Sequence, residues 1–168
     1  MRLQAGQAAP AFAAQDVQGR MIRLDDYRGR YLFLSFYRYA SCPFCNLRVH
    51  ELMQRLTEFE NFDLSLVAVF QSPRTQIAQY IGKQRPPFPI LPDPRLHLYR
   101  DYRVETSLRA FLIGATRHFG KALHAMRLGF LPGRIQGSVA RVPADFLIGP
   151  QGEVLIAYYG RDISDHLP

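Results

Sequence analysis

The sequence predicts an α/β fold, a central mixed sheet flanked by helices. Three observations lead there. A β-rich apolar run, Tyr31 to Tyr37, is followed by Cys42-Pro43-Phe44-Cys45 and at once by a helical pattern. A second strand–helix pair follows from Asp63. The chain then closes on two apolar runs joined by Gly149-Pro-Gln-Gly152, which read as an antiparallel hairpin. With 168 residues, of which 48% are hydrophobic, the expectation is one domain spanning 1–168 with its own core.

The elements follow in order. Pro10 to Val17 is weakly strand-like, Gln18-Gly19-Arg20 is a turn signal, and Met21 to Leu24 returns, so an N-terminal β-hairpin is expected. Asp25 to Arg30 is a polar connection into the buried strand Tyr31–Tyr37. From Pro43 to about Phe59, Val49, Leu52, Met53, Leu56 and Phe59 recur at helical spacing, with Arg48, Glu51, Gln54, Arg55 and Glu58 opposite. Pro43 suits the first helical turn, where its missing N–H costs nothing. Asp63 to Phe70 is a second buried strand and Pro73 to Gly82 a second helix. Within the proline-rich stretch 84–94, Phe88 to Leu91 reads as a short edge strand, and Arg95 to Tyr102 as a short helix.

Residues 106–131 then form a helical insertion before the last β-hairpin. Leu108, Phe111, Leu112, Phe119, Leu123, Met126 and Phe130 mark an apolar face, and Arg109, Arg117, His118, Lys121, His124 and Arg127 a basic one. Gly114 and Gly120 weaken any single rigid helix. An apolar stripe at this spacing is usually buried, as a cover for a sheet face, a lid or a dimer surface. The alternative is a basic amphipathic element for a membrane surface or an acidic partner.

The net charge of +7 describes a basic surface, and no Lys/Arg block interleaved with aromatics marks a nucleic-acid site. Met1 to Ala14 lacks an apolar core of signal-peptide length, and no run would span a membrane. A cytoplasmic location is therefore expected, and there a C-x-x-C pair is redox-active or metal-binding rather than a structural staple. Both cysteines of the chain, Cys42 and Cys45, lie between strand and helix. At a helix N-terminus, unpaired backbone N–H groups and the positive end of the dipole favour a thiolate. A second cysteine within one turn can close a disulfide with it. A zinc site fits poorly: His50 lies roughly 12 Å along the same helix from Cys42, and there is no second C-x-x-C. The same distance leaves His50 an ordinary helix-surface residue. No metal and no organic cofactor is expected.

The order of elements, with C-P-x-C after the first central strand, resembles the thioredoxin fold. More narrowly, the chain resembles the alkyl hydroperoxide reductase/thiol-specific antioxidant (peroxiredoxin-like) family. The carriers are Gly6 to Phe12, Leu24 to Gly29, Phe36-Tyr37-Arg38 leading into Ser41 to Leu47, and Val142 to Ile148. The resemblance implies that Cys42 is the exposed nucleophile and Cys45 the resolving thiol, an order the chemistry supports, since only Cys42 sits at the open helix end. It implies that Pro43 helps to shape the site. Val142-Pro143 resembles the cis-proline of thioredoxin-like proteins, whose backbone pairs with substrate; the alternative is an ordinary trans proline at a strand start. Arg141 is the candidate for the guanidinium that many members place near the thiolate. One departure stands out. The family's proline and threonine, seven and three residues before the nucleophile, are Ser35 and Tyr39 here, so Ser41 or Tyr39 would have to supply the hydroxyl.

The function expected is that of a thiol-disulfide oxidoreductase of peroxiredoxin-like type, reducing disulfides and hydroperoxides at the expense of an external thiol of thioredoxin or glutathione type. The alternative is a non-catalytic redox-sensing or binding module acting through 106–130. Thioredoxin-like domains usually finish with a helix, whereas this chain ends at Arg161 to Pro168. The expectation is that such a helix is missing or is supplied by another chain, as in a swapped homodimer.

Overall fold

A computed structural model of the chain describes residues 1–168 apart from the side chains of residues 115–117, so Arg117 of the expected basic face lies outside the described residues. The N-terminal hairpin forms as β1 (Ala13–Gln15) and β2 (Met21–Arg23), antiparallel about the Gly19 turn. The positive φ of Gly19, 86°, is the left-handed backbone that glycine accepts without steric cost.

The main sheet has five strands: β3 (Tyr31–Phe36), β4 (Leu64–Phe70), β5 (Ile90–Pro92), β6 (Ala144–Ile148) and β7 (Val154–Tyr159). Their spatial order is β5-β4-β3-β6-β7, with β3, β4 and β5 parallel and β6 and β7 antiparallel to their neighbours. This is the mixed, thioredoxin-like sheet that the sequence implies. The proline-bearing β5 is at an edge, where an absent N–H leaves no gap in the ladder.

Strand alternation divides the core in two. Leu32, Leu34, Phe36, Val67, Val69 and Phe146 face one side, beneath Tyr99 and Tyr102. Phe33, Tyr37, Leu66, Ala68 and Phe70 face the other, against Val49 and Leu52 of the helix that follows β3. That helix, α1 (Pro43–Gln54), carries both cysteines into the second core. The single helix expected to run to Phe59 turns at Arg55 into α2 (Leu56–Asn61). The turn keeps Leu56 and Phe59 packed on the sheet while the Arg55 guanidinium lies over the Phe59 ring and pairs with Glu58. The helices α3 (Arg74–Tyr80) and α4 (His97–Asp101) complete the regular part.

The insertion is two helices, α5 (Leu108–Arg117) and α6 (Phe119–Arg127). They part at His118 rather than at a glycine; His118 Nε2 lies 2.9 Å from Asp162 Oδ2. Gly114 instead serves close packing, because a Cβ there would stand 2.4 Å from Ile163 Cγ1. Among the described residues no helix is long and apolar enough to cross a membrane. Arg161 to Pro168 carry no helix and fold back over the sheet: Leu167 N–H donates to Asp145 at 2.7 Å, and Leu167 O accepts from Arg48.

Candidate active site

Phe36 is the last residue of β3, and the chain then turns through Tyr37–Ser41 into α1. Each step of that turn is fastened. Tyr99 Oη donates to Tyr37 O at 2.6 Å, Ala40 N–H donates to Ser72 Oγ at 2.9 Å, and Asn46 Nδ2 donates to Ala40 O at 2.7 Å. Cys42 therefore occupies the N-cap of α1, extended at φ −72° and ψ 121°, with Pro43 as the first helical residue. Both cysteines are reduced and buried.

The electrostatics separate the two thiols. Burial pushes the Cys42 thiol up, but the Cys45 thiol, the Arg38 guanidinium and the N–H groups of Cys45 and Phe44 outweigh it and bring Cys42 down to about 6. Arg38 is the decisive charge: its Nη1 donates to Cys42 Sγ at 3.4 Å. Burial and the adjacent Cys42 thiolate hold the Cys45 thiol protonated, well above its ordinary range. One sulfur is thus favoured as a thiolate and the other keeps its proton, one turn apart at the start of α1.

Arg38 has no place among the residues the sequence singles out for the site. Its signal is a charged residue set two positions past a largely apolar strand, four residues before Cys42. It is only 2% exposed, its Nη2 donates to Val139 O at 2.6 Å, and its plane lies against the rings of Tyr39 and Phe111. It stands in the place expected for the Arg141 guanidinium, within reach of Cys42 Sγ. Arg141 is also buried, but its Nη1 donates to Val104 O at 2.9 Å, its Nε lies 3.4 Å from Gln71 Oε1, and its guanidinium covers Tyr99.

Two further expectations are corrected. The Val142–Pro143 peptide is trans. Residues 140–142 run extended against 105–107, with Val142 N–H donating to Glu105 O and Ala140 O accepting from Ser107 N–H, so the chain itself takes the Val142 N–H expected to pair with substrate. Val142 and Pro143 instead line a cleft of about 330 Å³ with Ser107, Arg109, Tyr159 and Gly160. Cys42 itself is 1% exposed rather than open. The segment 134–141 is tied to the residues around it, by Ser41 Oγ to Arg134 O (2.7 Å), Gln71 Nε2 to Ser138 O (2.8 Å) and the Arg38–Val139 bond.

The hydroxyls divide as well. Ser41 is committed to Arg134, whereas Tyr39 stays beside Arg38; burial and the neighbouring Cys42 raise the Tyr39 phenol to about 12, so it remains a proton donor. Ser35 hydrogen-bonds to Asp145, directly opposite it on β6. Asp145 is fully buried and also pairs with His166 at 3.1 Å, a cluster the sequence does not announce because its members lie 110 and 21 residues apart. His50 contacts Gln54 and Phe130, as expected of a helix-surface residue.

Comparison with known proteins identifies the family and the fold. The model of the AhpC/TSA family matches residues 5–156. A Mycobacterium tuberculosis (strain H37Rv) protein that carries the peroxiredoxin name is 28% identical over 166 residues, covering 99% of this chain and 91% of its own. Among solved structures, peroxidoxin BcpB from Mycobacterium tuberculosis superposes with a TM-score of 0.70 at 18% identity, covering 94% of this chain and 86% of that one. A Chlorobium tepidum protein described as a DsbE-type thiol:disulfide interchange protein superposes with a TM-score of 0.65 at 20% identity, over 93% and 85% of the two chains.

Proposed function

The chain belongs to the AhpC/TSA family and is a thiol-dependent oxidoreductase of peroxiredoxin type, and on that premise we propose how its own residues run the reaction. Cys42 is the attacking thiolate and Cys45 resolves. The observation that carries this reading is the Arg38 guanidinium 3.4 Å from Cys42 Sγ at the start of α1.

With a hydroperoxide, the Cys42 sulfur takes the distal oxygen, the O–O bond breaks, and the alkoxide leaves with a proton to become an alcohol. Tyr39, a neutral phenol beside Arg38, is the donor best placed to give that proton. Cys45 then attacks the sulfenic acid, water leaves, and a Cys42–Cys45 disulfide results. With a disulfide substrate, Cys42 displaces one thiolate and Cys45 displaces the other, ending in the same bond. Either cycle closes when an external thiol of thioredoxin or glutathione type reduces the pair. The cytoplasm, which keeps such pairs reduced, suits this antioxidant cycle.

Stopped-flow oxidation of the reduced protein by hydrogen peroxide and by a model disulfide tests the reading. Cys42→Ser should abolish turnover with both oxidants. Full activity in that variant would sink the assignment, and the faster oxidant of the native protein names the substrate class.

A further inference from the structure

Between Glu105 and Asp145 the sequence holds no acidic residue, while Arg109, Arg117, Lys121, Arg127, Arg134 and Arg141 all fall there. The same segment is where the surface is most apolar. Of the fourteen exposed large hydrophobic side chains among the described residues, eight lie between Leu108 and Ile135. On α5, Leu108 and Leu112 stand one turn apart and are 73% and 64% exposed, with Arg109 beside them, while Ala110 and Gly114 on the opposite side are buried. On α6, Phe119 (70% exposed), Leu123 and Arg127 form an outward stripe at every fourth residue, and Ala125 faces inward. The stripe expected to be buried is thus in large part exposed, with cations alongside it.

We propose that the outer face of α5 and α6 docks on an anionic lipid bilayer, lying in the interface with its leucines and Phe119 in the acyl boundary and its cations at the headgroups. Two observations choose this occupant. An exposed apolar patch of this extent marks an interaction surface, and its chemistry, large apolar side chains beside Arg and Lys on a segment that itself holds no acid, with the adjacent Asp162 buried and paired to His118, is that of interfacial helices on anionic lipid. A second copy of the chain fits badly, because like faces would bring two acid-free, cationic segments together. Nucleic acid would satisfy the cations and leave Leu108, Leu112 and Phe119 in water. The face also adjoins the thiol: Phe111, on α5, sits 6.0 Å from the Arg38 guanidinium carbon, so docking holds Cys42 near the membrane surface. The inference stands apart from the redox chemistry, and Cys42→Ser should bind as the native chain does.

Co-sedimentation of the full chain with phosphatidylcholine vesicles, with and without phosphatidylglycerol, tests it. The expected result is binding to the anionic vesicles that weakens as salt rises, with little on the neutral ones. Neutralising one cation should lower partitioning about fivefold, so Lys121→Gln with Arg127→Gln should lower it roughly 25-fold. Leu108→Asp with Phe119→Asp should abolish it, and because all these side chains are on the surface, circular dichroism should be unchanged in both variants. Equal binding to neutral and anionic vesicles, no binding to either, or native binding by both variants would overturn the proposal. So would light scattering that shows a dimer split by Leu108→Asp, since a second copy would then be the occupant.

Discussion

Arg38→Met is the sharpest perturbation of the site, because it keeps the buried volume while removing the charge on Cys42. The guanidinium nitrogen lies 3.4 Å from the sulfur. At an effective dielectric of ~20, opposite unit charges at that range attract by about 5 kcal/mol before the cost of burying them is subtracted. Net effects of such neighbours lower an acid's pKa by about 1–3. The Cys42 midpoint, about 6 in the native protein, should therefore rise to roughly 7–9 in the variant. The assay is the pH dependence of the first chromophore released from a chromogenic disulfide, with Cys45 left in place because its thiol also lowers Cys42. A single rate at neutral pH is a poor readout. If the variant's midpoint is about 8, its thiolate fraction at pH 7 drops about tenfold, yet the more basic sulfur is about eightfold more nucleophilic, and the two nearly cancel. Near pH 5.5 the native thiolate fraction is about a quarter and the variant's about 0.3%, so after the same correction exchange should be about tenfold slower. Arg38→Lys should recover part of the shift. A midpoint that stays near the native value in Arg38→Met would falsify the role given to this arginine.

Three other outcomes follow from the packing. Cys45→Ser should stop after one turnover, with a persistent mixed disulfide or sulfenic acid on Cys42 detectable by mass spectrometry; undiminished multiple turnover would remove Cys45 from the mechanism. The Asp145 carboxyl resists burial through His166, Ser35 and the Leu167 N–H, which together hold it below its ordinary range. A depressed folded value means that its stabilisation is complete above the unfolded pKa of ~3.9 and is lost as pH falls through the lower folded one. Asp145→Asn should thus lower urea stability at neutral pH by about 1–3 kcal/mol and flatten the acid limb of the pH–stability curve, and a variant with native acid sensitivity would contradict the pairing. Gly114→Ala would place a Cβ 2.4 Å from Ile163 Cγ1 and 3.2 Å from its backbone nitrogen. Overpacking of ~1–3 kcal/mol should exceed the helix-propensity gain of ~1 kcal/mol and lower the melting temperature; a raised one would show that Ile163 yields freely.

Most of the scaffold was legible because its signals are local. The apolar runs at Tyr31 and Leu64 were too continuous for anything but strands covered on both faces, and the Gly149–Gly152 turn announced the closing hairpin. The two-helix insertion showed itself in a repeat of leucines and phenylalanines. Its exposure did not, because periodicity reports which residues share a face and says nothing of what that face meets. The separation at His118 was equally hidden. The partner that His118 meets there, Asp162, lies 44 residues away in sequence.

The thiol site divides along the same line. By itself the sequence determined that two cysteines open a helix directly after a central strand, and hence that Cys42 meets the N–H groups and dipole of α1. Those are consequences of neighbouring residues and hold wherever such a helix forms. Only the tertiary structure decided which arginine reaches the sulfur, that Cys42 is buried with the 134–141 segment tied to Ser41 and Arg38 on either side of it, and that the Val142 N–H is taken by Glu105 O ahead of a trans peptide. Arg38 and Arg141 carry the same charge and both end up buried. What separates them is the direction of the guanidinium, set by Val139 on one side and by Val104, Gln71 and Tyr99 on the other, contacts that span from 37 to 101 residues of chain and exist only once the sheet has brought those strands together.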